Sequence, residues 1–180
     1  MQVVIINGIG GSGKDTFVEL CKDILEENSW FARCMNISTV DYVKEIARHC
    51  GWDGEKDPAS RKFLSDLKRA MTEWRDVPVQ DIKNRIKYIE NCSQYHAKEN
   101  EGVIFVHCRE PKEIDRLVHE LNATTLLIRR DAAENIQQIN DSDNNVLNYT
   151  YDYTIYNNDS LDALRAAALV YLREFLDLTI

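Results

Sequence analysis

Proline and glycine are scarce in this chain: three prolines and seven glycines among 180 residues. Four of the glycines, Gly8, Gly10, Gly11 and Gly13, crowd into one short stretch. Too few remain elsewhere to mark a linker, so one domain spanning 1–180 is expected, large enough for a full core. No apolar run approaches the roughly 20 residues that a membrane-spanning helix needs. No basic segment precedes the first strand and no signal-peptide cleavage pattern is seen. The five cysteines, Cys21, Cys34, Cys50, Cys92 and Cys108, form no Cys-x-x-Cys pair. Reduced thiols, with the Cys and Trp residues in core or interface, and a cytoplasmic location are therefore the expectation. Basic residues are in deficit, 22 against 30 acidic, for a net charge of −8. That excess argues against non-specific nucleic-acid binding, but not against nucleotides, which need only a local cluster of cations.

What is present begins with Gly8-Ile9-Gly10-Gly11-Ser12-Gly13-Lys14-Asp15-Thr16. It follows the apolar run Val3-Val4-Ile5-Ile6 and leads into a helical pattern. Strand, glycine-rich turn, Gly-Lys and helix is the arrangement of a P-loop. Glycines let backbone N–H groups converge on phosphate oxygens, and the helix that follows points its positive end at the anion. Lys14 adds a mobile cation for the outer phosphates. Asp15 stands where most P-loops carry Ser or Thr, with Thr16 one place later; a carboxylate at Asp15 suits the start of a helix.

Along the chain, apolar periodicity predicts alternating elements. A helix after the loop buries Phe17, Leu20, Cys21, Ile24 and Leu25, and Phe31 to Ile37 reads as a second strand. Helix 41–50 ends at Gly51, and Asp57-Pro58 caps a helix carrying Phe63, Leu67, Met71 and Trp74. Val77-Pro78 breaks the chain before a polar helix from about 79 to 99. Strands at 103–106, 125–128 and 152–156 flank a helix from Pro111 and a polar stretch at 131–150; helix 160–177 closes the chain. The run Asp141 to Asn145 resembles the opening of a calcium loop, but Val146 stands where such loops need glycine, so it reads as a polar loop. Strands alternating with helices imply a parallel sheet covered on both faces, with ligands outside the carboxyl ends of its strands. That rule gathers the P-loop, Ser38 to Asp41, His107 to Glu110, and Arg129-Arg130. Arg109 suits bidentate phosphate binding, or an ion pair with Glu110 or another acid. Asp41 suits a substrate or Mg²⁺-water contact, or a helix cap. One of Arg129 and Arg130 suits the transferred phosphate.

The P-loop, with its Lys14-Asp15-Thr16 ending, resembles the nucleoside and deoxynucleoside monophosphate kinase-like family, and is also similar to animal phosphomevalonate kinases. Four further segments carry the resemblance: Ser38 to Ala47, Arg61 and its neighbours, His107-Cys108-Arg109-Glu110-Pro111, and Asp152 to Leu161. It implies an α/β P-loop NTPase fold with a five-stranded parallel sheet, and a helical insertion at 57–99 covering the acceptor site. It implies ATP and Mg²⁺ as cofactors, with Gly8, Gly10, Gly11, Ser12, Gly13, Lys14, Asp15 and Thr16 on the nucleotide. Thr16 is the implied Mg²⁺ contact, directly or through water. Asp41, Arg61 and Arg109 fall to the acceptor, and Lys14, Arg109, Arg129 and Arg130 to catalysis. His107 departs from the family, which has Asp at that place. Arg61 shares its helix with Lys62, Lys68, Arg69 and Arg75, which also suit a solvated face.

The expected function is thus ATP-dependent phosphoryl transfer to a small phosphorylated acceptor, a nucleoside or deoxynucleoside monophosphate. Another phosphate such as phosphomevalonate is the alternative acceptor, and a non-catalytic nucleotide sensor the alternative class. No Asn-Lys-x-Asp motif points to a GTPase. The expected partners are these small molecules, with no nucleic acid and no membrane; the oligomeric state is left open.

Overall fold

The computed structural model describes residues 1–28, 33–94, 102–135 and 145–177, with the side chains of 92–94 outside that description. Phe31, residues 95–99 of the expected polar helix, the run Asp141 to Asn144, Trp30 and the Cys92 side chain lie outside it.

Five parallel strands form one sheet: β1 (Gln2–Asn7), β2 (Arg33–Ser38), β3 (Gly102–His107), β4 (Thr124–Arg129) and β5 (Tyr153–Tyr156), in the order β2-β3-β1-β4-β5. The strand leading into the P-loop is therefore central. Its neighbours register as Ile6 opposite His107 on one side and Ile6 opposite Leu126 on the other. Because strand side chains alternate, β1 feeds two cores. Val4 and Ile6 join Phe17, Cys21, Ile24 and Leu25 of α1 (Lys14–Asn28), with Leu164 and Ala168 of the C-terminal helix. Val3 and Ile5 face the other way, onto Ile82 and Ile86 of α4 (Val77–Gln94) and Ile114 and Leu117 of α5 (Pro111–Leu121). A strand covered on both faces reads as a continuous apolar run, which is why β1 was legible in sequence.

Local chemistry sets several ends. Asp57 accepts from the Ala59 and Ser60 amides at 2.8 and 3.0 Å and caps α3 (Pro58–Arg75), with Pro58 in the first turn where no amide is needed. Gly51, at φ +95°, follows α2 (Asp41–His49) as expected. Elsewhere the expectation shifts. The break before α4 falls at Asp76, left-handed at φ 54°, and Pro78 lies inside the first turn of α4 rather than ending a segment. The polar stretch after β4 includes a short helix, α6 (Asp131–Glu134). The last helix, α7 (Leu161–Val170), widens into a π turn over Tyr171–Phe175. Cys21 and Cys108 are buried, but Cys50 and Trp74 are exposed, Trp74 at 74%.

The inserted helices divide. α4 is a wall of the core, with Val79, Ile82 and Ile86 buried against the sheet, whereas α3 has no buried residue. α3 is thus the more exposed of the two inserted helices. Both helices are tied to one face of α5, whose Glu113, Arg116 and Glu120 stand at helical spacing. Glu113 accepts from Lys68 of α3 at 2.7 Å, Arg116 grips Asp76 through two bonds at 2.6 and 2.8 Å, and Glu120 meets Lys83 of α4 at 2.5 Å. The Lys68–Glu113 pair is largely buried, so losing the lysine leaves a desolvated carboxylate and matters more than breaking the outer pairs.

If α4 belongs to the core, Ile82→Ala should cost about 2–5 kcal/mol in urea unfolding. Trp74→Ala on α3 should stay within about 0.5 kcal/mol. Equal small losses at both sites would show that α4 is not packed on the sheet.

Candidate functional site

The loop between β1 and α1 is held from several directions. Gly8 donates its amide to Asn7 Oδ1 at 2.8 Å. Asn7 is buried, and its Nδ2 donates to the Tyr151 hydroxyl at 2.8 Å, which in turn donates to the Val146 carbonyl at 3.0 Å. A side chain on Gly8 would collide with the Ile128 carbonyl oxygen and the Ser12 hydroxyl. Ser12 Oγ is itself buried with no hydrogen-bond partner among the described residues. Lys14 folds back, its ammonium donating to the carbonyls of Gly8 at 2.5 Å and Ile9 at 2.9 Å. Gly10 and Gly11 are exposed, as are Asp15 and Thr16, which begin α1. One cation and a short run of backbone thus meet at the positive end of a half-buried helix, an arrangement suited to phosphate.

His107 ends β3 beside this loop. Its carbonyl accepts from the Thr39 amide at 3.1 Å and so fixes the start of α2. Its ring is 16% exposed, with Nε2 buried and without a hydrogen-bond partner among the described residues, 3.8 Å from Asp15 Oδ1. That separation is too long for a hydrogen bond. Burial pushes the imidazole well below the usual histidine range, to about 4, with Lys14 and Arg109 acting in the same direction and Asp15 and Asp41 opposing. The ring is therefore neutral at pH 7, and its contact with Asp15 is not an ion pair.

Asp41 is not an N-cap: its carboxylate reaches back to the Ser38 amide at 2.8 Å and accepts from Arg85 of α4 at 3.1 Å. Arg85 is a site candidate that sequence reasoning missed, since nothing local announces which helix faces α2. A polar cleft of about 420 Å³ opens between α2 and α4, lined by Asp41, Tyr42, Lys44, Arg48, Asp81 and Arg85 among others. Burial raises the Asp81 carboxyl above its usual range, against the pull of Arg85.

The arginines divide. Arg109 is exposed immediately after β3, and Arg61 is exposed on α3. Arg129 is committed elsewhere: it forms two hydrogen bonds to Glu134 at 2.8 and 2.6 Å and lies 5.5 Å from the centre of the Tyr156 ring. That bidentate ion pair, to a residue five positions on, competes with its expected phosphate role. Arg130 is exposed and makes no ion pair among the described residues. Asn157 was also missed. It donates from Nδ2 to the Ser12 carbonyl at 2.9 Å, across the loop from Asn7.

No protein-family model and no curated protein matches the chain by sequence. Solved structures do match in fold. The Thermus thermophilus protein TT1252 is 16% identical, with 99% of this chain and 98% of that one covered at a TM-score of 0.51. Thymidylate kinase from Ehrlichia chaffeensis is 14% identical over 95% and 98% of the two chains, at 0.49. Mycobacterium tuberculosis APS kinase, in complex with AMPPNP and APS, is 12% identical over 96% and 98%, at 0.44. Identities this low speak to fold alone. With the five-stranded parallel sheet and central glycine-rich loop, the chain has the α/β P-loop NTPase fold.

An NMR titration should show the His107 ring protonating near pH 4 rather than at the ordinary 6.5 or so. The sign for stability follows. A lowered folded-state value penalises the native protein as pH falls from about 6.5 towards 4, because the unfolded chain takes the proton first. His107→Gln should flatten that loss. A His107 midpoint near 6.5 would contradict the burial argument.

Proposed function

We propose that the protein is an ATP-dependent phosphotransferase whose acceptor is a small phosphorylated molecule, a nucleoside or deoxynucleoside monophosphate. The observation that carries this reading is positional. The P-loop follows the central strand β1, His107 ends the adjacent β3 with Arg109 two residues on, and Asp41 follows β2 beyond it, all at the carboxyl edge where such sheets bind ligands. The cleft between α2 and α4 opens from Asp41 at the same edge and has the volume of a small-ligand site.

In this reading Lys14 exchanges the Gly8 and Ile9 carbonyls for the outer phosphates of ATP. Arg109 grips the acceptor phosphate, with Arg61 on α3 as a second candidate, and Arg130 meets the phosphoryl group in transit. An acceptor phosphate oxygen attacks the γ-phosphorus, the bond to the bridging oxygen breaks, and ADP leaves with that electron pair. The acceptor is already ionised, so no protein nucleophile or strong base is needed; positioning and charge neutralisation supply the catalysis.

The side chains near the loop fit Mg²⁺ that arrives with its nucleotide. Thr16, Asp15 and Asp41 offer hard oxygen donors, and among the described residues no group of His, Cys, Asp and Glu forms a metal cage of its own. When bound, Mg²⁺ spreads and offsets charge on the phosphate oxygens. Thr16 would hold it or its water. His107, neutral and without a carboxylate's charge, would tune the site rather than carry the ion. That same neutral histidine favours the second reading, a nucleotide-binding protein without turnover. Phosphomevalonate or a similar phosphate remains the alternative acceptor.

Mixing the protein with Mg-ATP and a panel of monophosphates, with coupled detection of ADP, separates these readings. ADP release with a nucleoside monophosphate is expected; release only with a non-nucleotide phosphate moves the acceptor. Tight ATP binding with no ADP from any member would favour the sensor. Arg109→Ala should weaken the acceptor about ten- to a hundredfold while ATP changes much less. Equal weakening of both would remove Arg109 from the acceptor. α3, within the 57–99 insertion, should also gain hydrogen-exchange protection when a bisubstrate analogue binds, and unchanged protection would end the proposal that the insertion closes over the acceptor.

A further inference from the structure

Gly13 is a glycine for a reason outside the loop's own geometry. Its φ of +95° already favours glycine, and a side chain there would also run into the amide nitrogen of Asn157. That nitrogen is not loosely placed. It donates to the Ser12 carbonyl at 2.9 Å, while the Asn157 backbone amide donates to the Arg129 carbonyl at 2.7 Å. The next residue continues the pattern, with Asn158 Oδ1 accepting from the Asp131 amide at 2.8 Å, at the start of α6. The turn after β5 therefore grips three things in two residues: the P-loop, the end of β4 and the helix that follows it.

We propose that Asn157 is a positioning residue that holds the P-loop in its phosphate-receiving shape and joins it to the Arg129-Arg130 segment. A glycine-rich loop has many conformations, and the helix beyond it fixes only one end. The Ser12 carbonyl is the awkward group. Turned inward, it would present a partial negative charge to a phosphate; the Asn157 amide holds it on a donor instead. Asn7 and Tyr151 perform the matching task at Gly8, so the loop is secured on both sides by residues flanking β5. Only a short side chain with a donor at its tip fits between Gly13 and Ser12. Aspartate has the same shape but sets oxygen against oxygen.

The affinity arm of the test rests on the nucleotide reading above; the spectroscopic arm does not. The backbone amide resonances of Gly11 to Lys14 are recorded in the ligand-free protein, and the affinity for a fluorescent ATP analogue with Mg²⁺ is measured in parallel. Asn157→Ala should displace those resonances and weaken the analogue roughly three- to tenfold, the weight of one hydrogen bond. Asn157→Asp should weaken it further. Asn158→Ala, which loses the α6 contact but not the loop contact, should leave the Gly11 to Lys14 resonances in place. Asn157→Ser substitutes if the alanine protein does not fold, and the same displacement is expected. Gly11 to Lys14 resonances that superimpose on wild type in the Asn157 variants would overturn the proposal. If the wild-type protein binds no nucleotide, the function reading fails alone and the resonances still decide the role of Asn157.

Discussion

Everything at the carboxyl edge of this sheet depends on one constraint: the chain must leave a strand buried on both faces and enter a helix buried along one side, within a few residues. β1 ends at Asn7 and α1 begins at Lys14. The strand cannot shift, because Val3 and Ile5 belong to one core and Val4 and Ile6 to the other. The helix cannot shift either, with Phe17 fixed edge-on against Phe105 and Tyr171. Only the loop between them is left to adapt, and it does so with glycine, close backbone approach and borrowed hydrogen bonds. Lys14 on the Gly8 and Ile9 carbonyls belongs to the same adjustment: a cation held at the loop offsets carbonyl dipoles until an anion replaces them.

The second organising element is α5. Its first turn begins two residues after Arg109, and one face of it holds α3 and α4 through alternating charges. The buried Glu113 is placed at the centre of this arrangement, accepting from Lys68 and, at 3.6 Å, from the Cys108 thiol. This carboxylate joins α3 and α5 to the segment that follows β3. It also explains why α4 serves as a wall. A helix with Ile82 and Ile86 seated on the sheet and Lys83 tied to α5 is poorly suited to swing, whereas α3, with no buried side chain, has less to lose on moving.

Much of this was legible in sequence where the signal is local. The apolar runs of β1, β3 and β4, the Asp57-Pro58 cap, the Gly51 stop and the glycine spacing of the P-loop each report on a few neighbouring residues. The parallel topology followed from alternation. What escaped was set by partners distant in sequence. The helix after Pro78 read as polar, and nothing local announced that its Ile82 and Ile86 meet the sheet. Asp76 gave no sign of a left-handed turn, and Pro78, two places on, drew the expected helix start past its actual one at Val77. Arg129 read as a phosphate ligand because its Glu134 partner becomes close only once α6 forms. Asn157 lies 145 positions from Ser12, and no periodicity connects them.

The central claim is that the Gly8 to Thr16 loop, armed by Lys14, is a nucleotide-phosphate site on a P-loop fold. Calorimetric titration of Mg-ATP into wild-type and Lys14→Ala protein, with circular dichroism to establish that both are folded, tests it most directly. The account predicts saturable binding of about one ATP per chain in the wild type, lost or greatly weakened in the variant, since a charge-assisted contact contributes about 1.5–3 kcal/mol. Equal ATP affinity in the two folded proteins would contradict it.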